Sequence, residues 1–278
     1  MKKNSVVIQG KHQKPILMDY CYIPNGLQKP IIVFCHGYKG FKDWGAWNLM
    51  AERIAEAGFC FIKFNFSHNG GTMEQPIDFP DLEAFGNNNY SKELDDLEVV
   101  IDWVFNNKNL QKDIDIDNIT LLGHSRGGGI VCIKSGEDKR IKQVITLAGV
   151  SDYKVRFPIG KDFDTWEKND VYYVVNGRTK QQMPHYFQFY EDFIKHEDRL
   201  TIKRAVENLQ IPHLIIHGDS DTSVSVKEAN TQHQWNSNSK LQIIKGANHV
   251  FGASHPWEHD KMPQDLEKVI GLIISFLK

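Results

Sequence analysis

Short, nearly continuous apolar runs alternate along this chain with longer segments in which apolar residues recur every three or four positions. Short apolar runs are typical of strands buried on both faces, and the longer spacing is typical of amphipathic helices. Their alternation predicts an α/β fold: a doubly wound, mostly parallel eight-stranded sheet with helices on both faces. The predicted strands are 5–10, 15–23, 30–35, 59–66, 119–122, 144–148, 213–217 and 241–245, with the first two as an antiparallel edge. The predicted helices are 44–57, 91–105, 128–135, 202–209, 227–235 and 266–277.

Residues 151–200 interrupt this alternation. Eleven of these 50 residues are aromatic, against 11 % of the whole chain. We therefore predict one domain, residues 1–278, with a small cap inserted at about 151–200. Its aromatic side chains are expected to form a roof over a ligand pocket, the cap's own small core, or both. The Gly-, Asn- and Pro-rich stretch 67–89 is expected to be a loop near the edge of the sheet that the cap covers.

The charged residues are nearly balanced, with 33 Lys and Arg against 35 Asp and Glu and a formal net charge of −2. Nucleic-acid-binding domains usually carry a basic excess or a basic stripe, and neither stands out in this sequence. We therefore expect no nucleic-acid partner.

Four cysteines, Cys21, Cys35, Cys60 and Cys132, each stand alone within an apolar run. Because no Cys-x-x-Cys pair is present, we interpret them as small buried side chains in a reducing compartment. The N-terminal segment lacks the apolar core of a secretory signal, and the longest apolar stretch, 269–277, is far shorter than the ~20 residues that span a bilayer. The expectation is a cytoplasmic protein with no membrane partner.

A Gly-x-Ser-x-Gly string at 123–127 follows a predicted strand and precedes a predicted helix. A sharp strand-to-helix turn would expose its central residue, Ser125. Glycine is needed at 123 and 127 because side chains there would collide with the neighbouring strand and helix. The amides that begin the helix would face negative charge forming on a substrate. This context favours Ser125 as a nucleophile over a glycine-rich turn with an incidental serine.

A serine hydroxyl needs a neighbouring base to accept its proton, and the base needs a carboxylate to orient it. After such a turn the expected chain order is serine, acid, histidine. His249 directly follows the predicted strand 241–245 and is the predicted base. His255 and His259 are close behind it and are the fallback bases.

The predicted acid is Asp221, which directly follows the strand 213–217. Asp219 lies two residues earlier, so only one of the two is expected to face the histidine. A turn or cap role is the alternative for Asp219, since Asp side chains often bond backbone amides in such loops. Asp152, after the strand 144–148, is the remaining competitor.

Acyl transfer also needs hydrogen-bond donors for the oxyanion. We predict the backbone amide of Arg126, the residue after the serine, and that of Tyr38 in the loop 36–41. His36, in the same loop, is interpreted as a buried histidine that bonds its own loop and transfers no proton.

The segments His36-Gly37, Gly-His-Ser-Arg-Gly, Gly-Asp-Ser-Asp and Asn-His-Val-Phe, in this order, resemble the α/β-hydrolase superfamily. The resemblance covers about residues 29–278. It is closer to single-domain esterases of the feruloyl-esterase, dienelactone-hydrolase and serine-aminopeptidase-like groups. It implies an α/β-hydrolase domain, a Ser125–His249–Asp221 triad and no cofactor. The dienelactone branch typically has a cysteine nucleophile, so Ser125 argues against that activity, and a dehalogenase-type aspartate nucleophile is absent.

The expected function is a serine hydrolase that cleaves a small-molecule carboxylic ester through an acyl-enzyme, without cofactor or metal. The near-zero net charge favours a small, uncharged or weakly charged ester over a polyanion. Two alternatives stay open: a serine peptidase or acyltransferase on the same triad, and a low-turnover ligand-binding protein of the same fold. A metal-dependent hydrolase is disfavoured because the sequence has no His-x-His or His-Glu-x-x-His cluster. The sequence indicates neither acyl-chain length nor oligomeric state.

Overall fold

The computed structural model describes residues 1–278 and is built around one eight-stranded sheet. The strands of the chain are β1 (Lys2–Gln9), β2 (Pro15–Tyr22), β3 (Lys29–Cys35), β4 (Cys60–Phe64), β5 (Ile114–His124), β6 (Ile141–Leu147), β7 (Val171–Val175), β8 (Gln182–Tyr186), β9 (His213–Gly218) and β10 (Lys240–Ile244). The sheet has the order β1-β2-β4-β3-β5-β6-β9-β10, and β7 pairs only with β8. The first two strands are antiparallel to their neighbours and the other six are parallel. The predicted doubly wound, mostly parallel eight-stranded sheet is confirmed.

Helices cover both faces of the sheet. They are α1 (Trp47–Glu56), α2 (Leu82–Gly86), α3 (Tyr90–Asn106), α4 (Arg126–Glu137), α5 (Lys161–Asn169), α6 (Gln188–Lys195), α7 (Glu197–Leu200), α8 (Ile202–Glu207), α9 (Val226–Trp235) and α10 (Gln264–Leu277).

Two of these helices differ from the sequence predictions. The helix predicted from residue 44 begins only at Trp47, because Gly45 has a φ of +57°, which a right-handed helix cannot contain. The stretch 67–89, predicted as a loop, contains the short helix α2. Its first turn is stabilised by the Asp81 carboxylate, which accepts a hydrogen bond from the Ala84 amide at 2.9 Å.

Strand β3 shows why the apolar runs are continuous. Ile31, Val33 and Cys35 point into a core under α3, α4 and α8, whereas Ile32 and Phe34 point into a second core under α1 and α10. Successive side chains of a strand alternate between faces, so a strand covered on both faces must be apolar throughout. The parallel strands therefore end at one common edge with their loops outside both cores.

Residues 151–200, where a cap is predicted, lie outside the main sheet. They hold a 3-10 turn (Lys154–Arg156), α5, the β7–β8 hairpin, α6 and α7. Phe157 packs against Trp166 and Phe189, with ring centroids 6.0 and 5.3 Å away, and Phe189 lies 4.8 Å from the ring of Tyr90 on α3. Aromatic stacking thus joins this segment both to itself and to the main body.

All four cysteines are buried and unpaired. Among the helices, none has the length and apolar character needed to cross a bilayer.

Candidate active site

Ser125 lies at the turn between β5 and α4 with φ 55° and ψ −118°. A non-glycine residue in such a conformation stores about 1–3 kcal/mol of strain and persists only where its surroundings hold it. Its amide donates to the Leu147 carbonyl at 2.9 Å, and its carbonyl accepts from Gly128 at 2.9 Å and Val150 at 3.2 Å. The ends of two strands therefore fix the backbone that presents the hydroxyl.

The glycines on either side of Ser125 are required by close backbone approaches. A Cβ at Gly123 would lie 2.3 Å from the carbonyl oxygen of Gly127, and one at Gly127 would lie 2.5 Å from that of Cys35. Both distances are far shorter than any real Cβ contact. The structure thus explains the two glycines of the Gly-x-Ser-x-Gly string in the terms predicted from the sequence.

The loops after β9 and β10 bring Asp221 and His249 together. Nδ1 of His249 donates to Oδ2 of Asp221 at 2.7 Å. Asp219 is exposed and accepts the Gly246 amide at 2.6 Å, which is the turn role considered for it. Asp152 is exposed and accepts the Lys154 amide at 2.7 Å. Of the three candidate carboxylates, only Asp221 contacts His249.

The carboxylate of Asp221 is shielded from solvent and fully hydrogen-bonded. Its Oδ1 accepts the amides of Ser223 at 2.8 Å and Val224 at 2.9 Å, and its Oδ2 lies 3.2 Å from Nε2 of His217. Burial alone would raise its pKa, but the hydrogen bonds from His217, His249 and the Val224 amide outweigh burial and lower the pKa well below the usual range. Asp221 is therefore an anion that holds the proton of His249 on Nδ1.

His217, the penultimate residue of β9, is a contact of this acid that the sequence analysis missed. Its side chain is fully buried, and its Nε2 lies 2.9 Å from the Val224 carbonyl as well as 3.2 Å from Asp221. Its Nδ1 has no partner. Because a carbonyl and a carboxylate both need a donor, the proton is on Nε2. The signal in the sequence was a histidine at the end of a buried strand, directly before the acid loop.

His124, just before Ser125, was also left without a role by the sequence. Its Nε2 donates to the carbonyl of His249 at 2.9 Å, and the two rings lie 4.8 Å apart. Burial lowers its pKa to about 3, so the ring is neutral and acts as a brace for the loop that carries His249.

The fallback bases lie in other contacts. His255 accepts the Gly45 amide at 3.0 Å and packs against Phe41, and His259 is exposed beside Trp257.

Ser125 and His249 line the same cavity of about 610 Å³. No hydrogen bond joins the two side chains in this structure. The rest of the wall is mainly apolar and includes, from residues 151–200, Phe157, Trp166, Tyr172 and Phe189. The aromatic side chains of this segment thus line the cavity as well as packing with one another, the two uses considered from the sequence.

The loop 36–41 approaches Ser125 closely, since a Cβ at Gly37 would lie 2.9 Å from Cβ of Ser125. The amide of Tyr38 donates to no protein acceptor. The amide of Arg126 begins α4, where a helix has no intrahelical acceptor to offer. His36 bonds its own loop as expected: its Nδ1 donates to the Gly37 carbonyl at 2.9 Å, and burial lowers its pKa to about 4.

The side chains of Tyr38 and Arg126 connect the site to its surroundings. The Arg126 guanidinium donates to Glu93 at 3.2 Å and lies 4.6 Å from the ring centroid of Tyr38. The hydroxyl of Tyr38 is hydrogen-bonded at 2.8 Å to Nε2 of His185 on β8. Segment 151–200 therefore contacts the loop beside Ser125 through a polar bond as well as through aromatic packing.

The chain matches the family model of the alpha/beta hydrolase fold over residues 30–190, more than half of its length. It belongs to this family. It is 29 % identical over 134 residues to an uncharacterized 31.7 kDa protein from the traX-finO intergenic region of Escherichia coli, a match covering 47 % of this chain and 41 % of that protein. It is 27 % identical over 134 residues to the quorum-quenching protein AidA of Acinetobacter baumannii, covering 48 % and 40 %. The match spans about two fifths of the length of these curated relatives.

Solved structures share the fold over nearly the whole chain. Est1E from Butyrivibrio proteoclasticus with bound ferulic acid has a TM-score of 0.74 at 20 % identity, covering 98 % of this chain and 97 % of that one. DcsB in complex with its substrate analogue has a TM-score of 0.75 at 13 % identity, covering 99 % of each chain. Dienelactone hydrolase from Anabaena variabilis has a TM-score of 0.64 at 16 % identity, covering 99 % and 95 %. At these identities the likeness is one of fold.

Several histidines are held away from solvent, some in the site and some elsewhere in the body. Burial lowers the pKa of His36 and His68 to about 4, and that of His124, His185 and His213 to about 3. In an unfolded chain each would have a pKa of about 6.5. At pH values between the folded and unfolded pKa values, the unfolded chain binds protons that the folded chain does not. The stability that these neutral histidines contribute is therefore fully present above about pH 6.5 and falls as the pH is lowered.

We expect the unfolding temperature to drop by on the order of 10 °C between pH 7 and pH 5. Asp96, whose pKa burial raises to about 7, and Glu93, whose pKa burial also raises, act in the opposite direction but are two groups against the five histidines. The measurement is calorimetric melting at several pH values. His213→Gln should make the pH dependence shallower, whereas His259→Gln, at an exposed position, should leave it unchanged. A melting temperature constant from pH 7 to pH 5 would contradict this account.

Proposed function

We propose that this protein is a serine hydrolase that cleaves carboxylic esters through an acyl-enzyme. Ser125 is the nucleophile, His249 the general base and acid, and Asp221 the residue that orients His249. The observation that supports this proposal most directly is the 2.7 Å hydrogen bond from Nδ1 of His249 to the buried, anionic Asp221. His249 also lines the cavity that Ser125 lines. The proposal includes a cytoplasmic location, and its chemistry needs no cofactor.

The reaction follows from which nitrogen of His249 is free. Since Nδ1 donates to Asp221, Nε2 carries a lone pair and takes the proton of the Ser125 hydroxyl as Oγ attacks the ester carbonyl. The oxyanion that forms accepts hydrogen bonds from the amides of Tyr38 and Arg126, each worth about 3–4 kcal/mol of barrier. The intermediate then collapses, and Nε2 returns the proton to the departing alcohol. Water repeats the sequence on the acyl-enzyme, releases the acid and restores Ser125.

The volume and the lining of the cavity favour an ester that carries a sizeable organic group. A volume of about 610 Å³ with a largely aromatic wall suits a small molecule better than an extended polymer. Relatives in fold include an esterase that binds ferulic acid, which is consistent with a carboxylic acid product.

Replacing Ser125 by Ala should lower kcat/KM for p-nitrophenyl acetate by at least ~10³-fold, because the attacking oxygen is removed. Labelling by a fluorophosphonate probe should be lost with it. Ser135→Ala, at a buried serine of α4 whose hydroxyl has no partner, is the matched control and should keep both activities. Full labelling of Ser125→Ala would refute the assignment.

Asp221→Asn should lower kcat by about 10³-fold or more, since the amide no longer favours the productive tautomer of His249. Asp219→Asn should change kcat by less than about threefold, because an amide oxygen can still accept the Gly246 amide. Steady-state kinetics of the two variants on one ester decide between them. A larger loss at position 219 would reverse the assignment.

A further inference from the structure

The wall of the cavity that Ser125 and His249 line carries an excess of positive charge. Three cationic side chains line it, Lys39, Arg126 and Arg156, and no Asp or Glu does. The chain as a whole has a net charge of −2, so this excess of cations is local. An apolar, aromatic wall makes such charges matter more, because electrostatic interactions strengthen where water is excluded.

Two of the three cations have carboxylate partners just behind the wall. Arg126 donates to the buried Glu93 at 3.2 Å, and Arg156 donates to both oxygens of Glu228 at 2.6 and 2.7 Å. The guanidinium of Arg126 uses one of its N–H groups in this way, and the others donate to no protein acceptor.

Lys39 is the cation without a partner. Its ammonium makes no hydrogen bond or ion pair with the protein and lies 5.0 Å from the ring centroid of Tyr38. Partial burial lowers the pKa of this ammonium, as expected for a lysine held against a wall rather than extended into solvent. The anion of the proposed triad, Asp221, is already bound by two amides and two imidazoles.

Lys39 belongs to the loop 36–41, which lies against Ser125. Its φ of +54° is in the left-handed region, which residues with a side chain adopt at a cost. Two residues earlier in the chain, Gly37 touches Ser125. Lys39 also lines a second, smaller cavity of about 210 Å³ that Ser125 and His249 share. Lys39 therefore belongs to the wall of both cavities that Ser125 and His249 line.

We propose that the ester hydrolysed at this site is anionic: it carries a carboxylate that pairs with Lys39, with a second contact from the free N–H groups of Arg126. This deepens, and rests on, the proposed hydrolase function. It narrows the expectation of an uncharged or weakly charged ester, which followed from a net charge that averages over the whole chain, to an ester with one negative charge. The wall offers no carboxylate that would repel such a substrate, and its aromatic side chains would cover the rest of it.

The first test compares matched esters that differ by one charge. Mono-p-nitrophenyl glutarate is set against p-nitrophenyl methyl glutarate, and 4-acetoxybenzoate against its methyl ester. At least one charged ester should have a kcat/KM about tenfold above that of its neutral partner, as for a charge-assisted contact in a partly desolvated site. Lys39→Met and Lys39→Gln should abolish that ratio and Lys39→Arg should retain it. Lys112→Met, which removes the same charge at an exposed position, should leave the ratio unchanged.

The second test measures binding without turnover. In the Ser125→Ala background, titration calorimetry compares monomethyl glutarate with dimethyl glutarate, and 4-acetoxybenzoate with its methyl ester. A charged ligand should bind about tenfold more tightly than its neutral partner, and the further change Lys39→Met should remove the difference. Circular dichroism of every variant establishes that it is folded. If Lys39→Met does not fold, Lys39→Gln takes its place in this test.

The outcomes separate the two proposals. Equal binding of charged and neutral ligands, no binding of any charged ligand, or a preference that survives at Lys39→Met and Lys39→Gln would overturn the anionic substrate. Ser125-dependent turnover of neutral esters would still stand in those cases. Ester turnover that survives Ser125→Ala would instead overturn the hydrolase mechanism, and calorimetry would still decide the anion site.

Discussion

The backbone of Ser125 is held in a conformation that a serine would not adopt by itself, and the rest of the site follows from that constraint. Its amide and carbonyl are bound to Leu147 and Val150, at and beyond the end of the neighbouring strand β6. For this turn to fit, Gly123 and Gly127 must have no side chains, and the loop containing Gly37 must lie against Ser125. The amides of Tyr38 and of the first residue of α4 belong to these neighbouring segments and are the proposed donors to the oxyanion. The strained turn, at a cost of about 1–3 kcal/mol, thus places the half-buried Ser125, the proposed nucleophile, beside the start of α4.

The parallel sheet positions the remaining side chains of the site. Strands β9 and β10 are parallel and in register, with Ile244 beside Gly218, so the loops that follow them leave the sheet side by side. One loop carries Asp221 and the other His249, and the hydrogen bond from His124 ties the second loop to the turn at Ser125. Three loops from three parallel strands therefore form one polar site at the edge where the strands end, as expected for open α/β sheets.

Much of this was predictable from the sequence because it depends on local pattern. The strands, the turn at Ser125 and the loops of His249 and Asp221 follow from apolar runs and the residues that end them. Asp221 was predicted over Asp219 although both lie in one loop, and in the structure a single hydrogen bond to His249 separates their roles. The pairing of Arg126 with Glu93 joins residues 33 apart on different helices, so no local signal predicted it. For the same reason the unpaired charge of Lys39 became visible only when the partners of the other cations were known.

The central claim is a covalent bond between Ser125 and the acyl group, and rapid-quench mass spectrometry tests it most directly. The enzyme is mixed with an excess of mono-p-nitrophenyl glutarate, quenched in acid within the first turnovers, digested and analysed by tandem mass spectrometry. The account predicts a peptide containing residues 123–127 that is heavier by one glutaryl group, with the added mass on Ser125 and a burst of nitrophenolate of equal amount. A glutaryl group on another residue, or steady turnover with neither burst nor adduct, would contradict it.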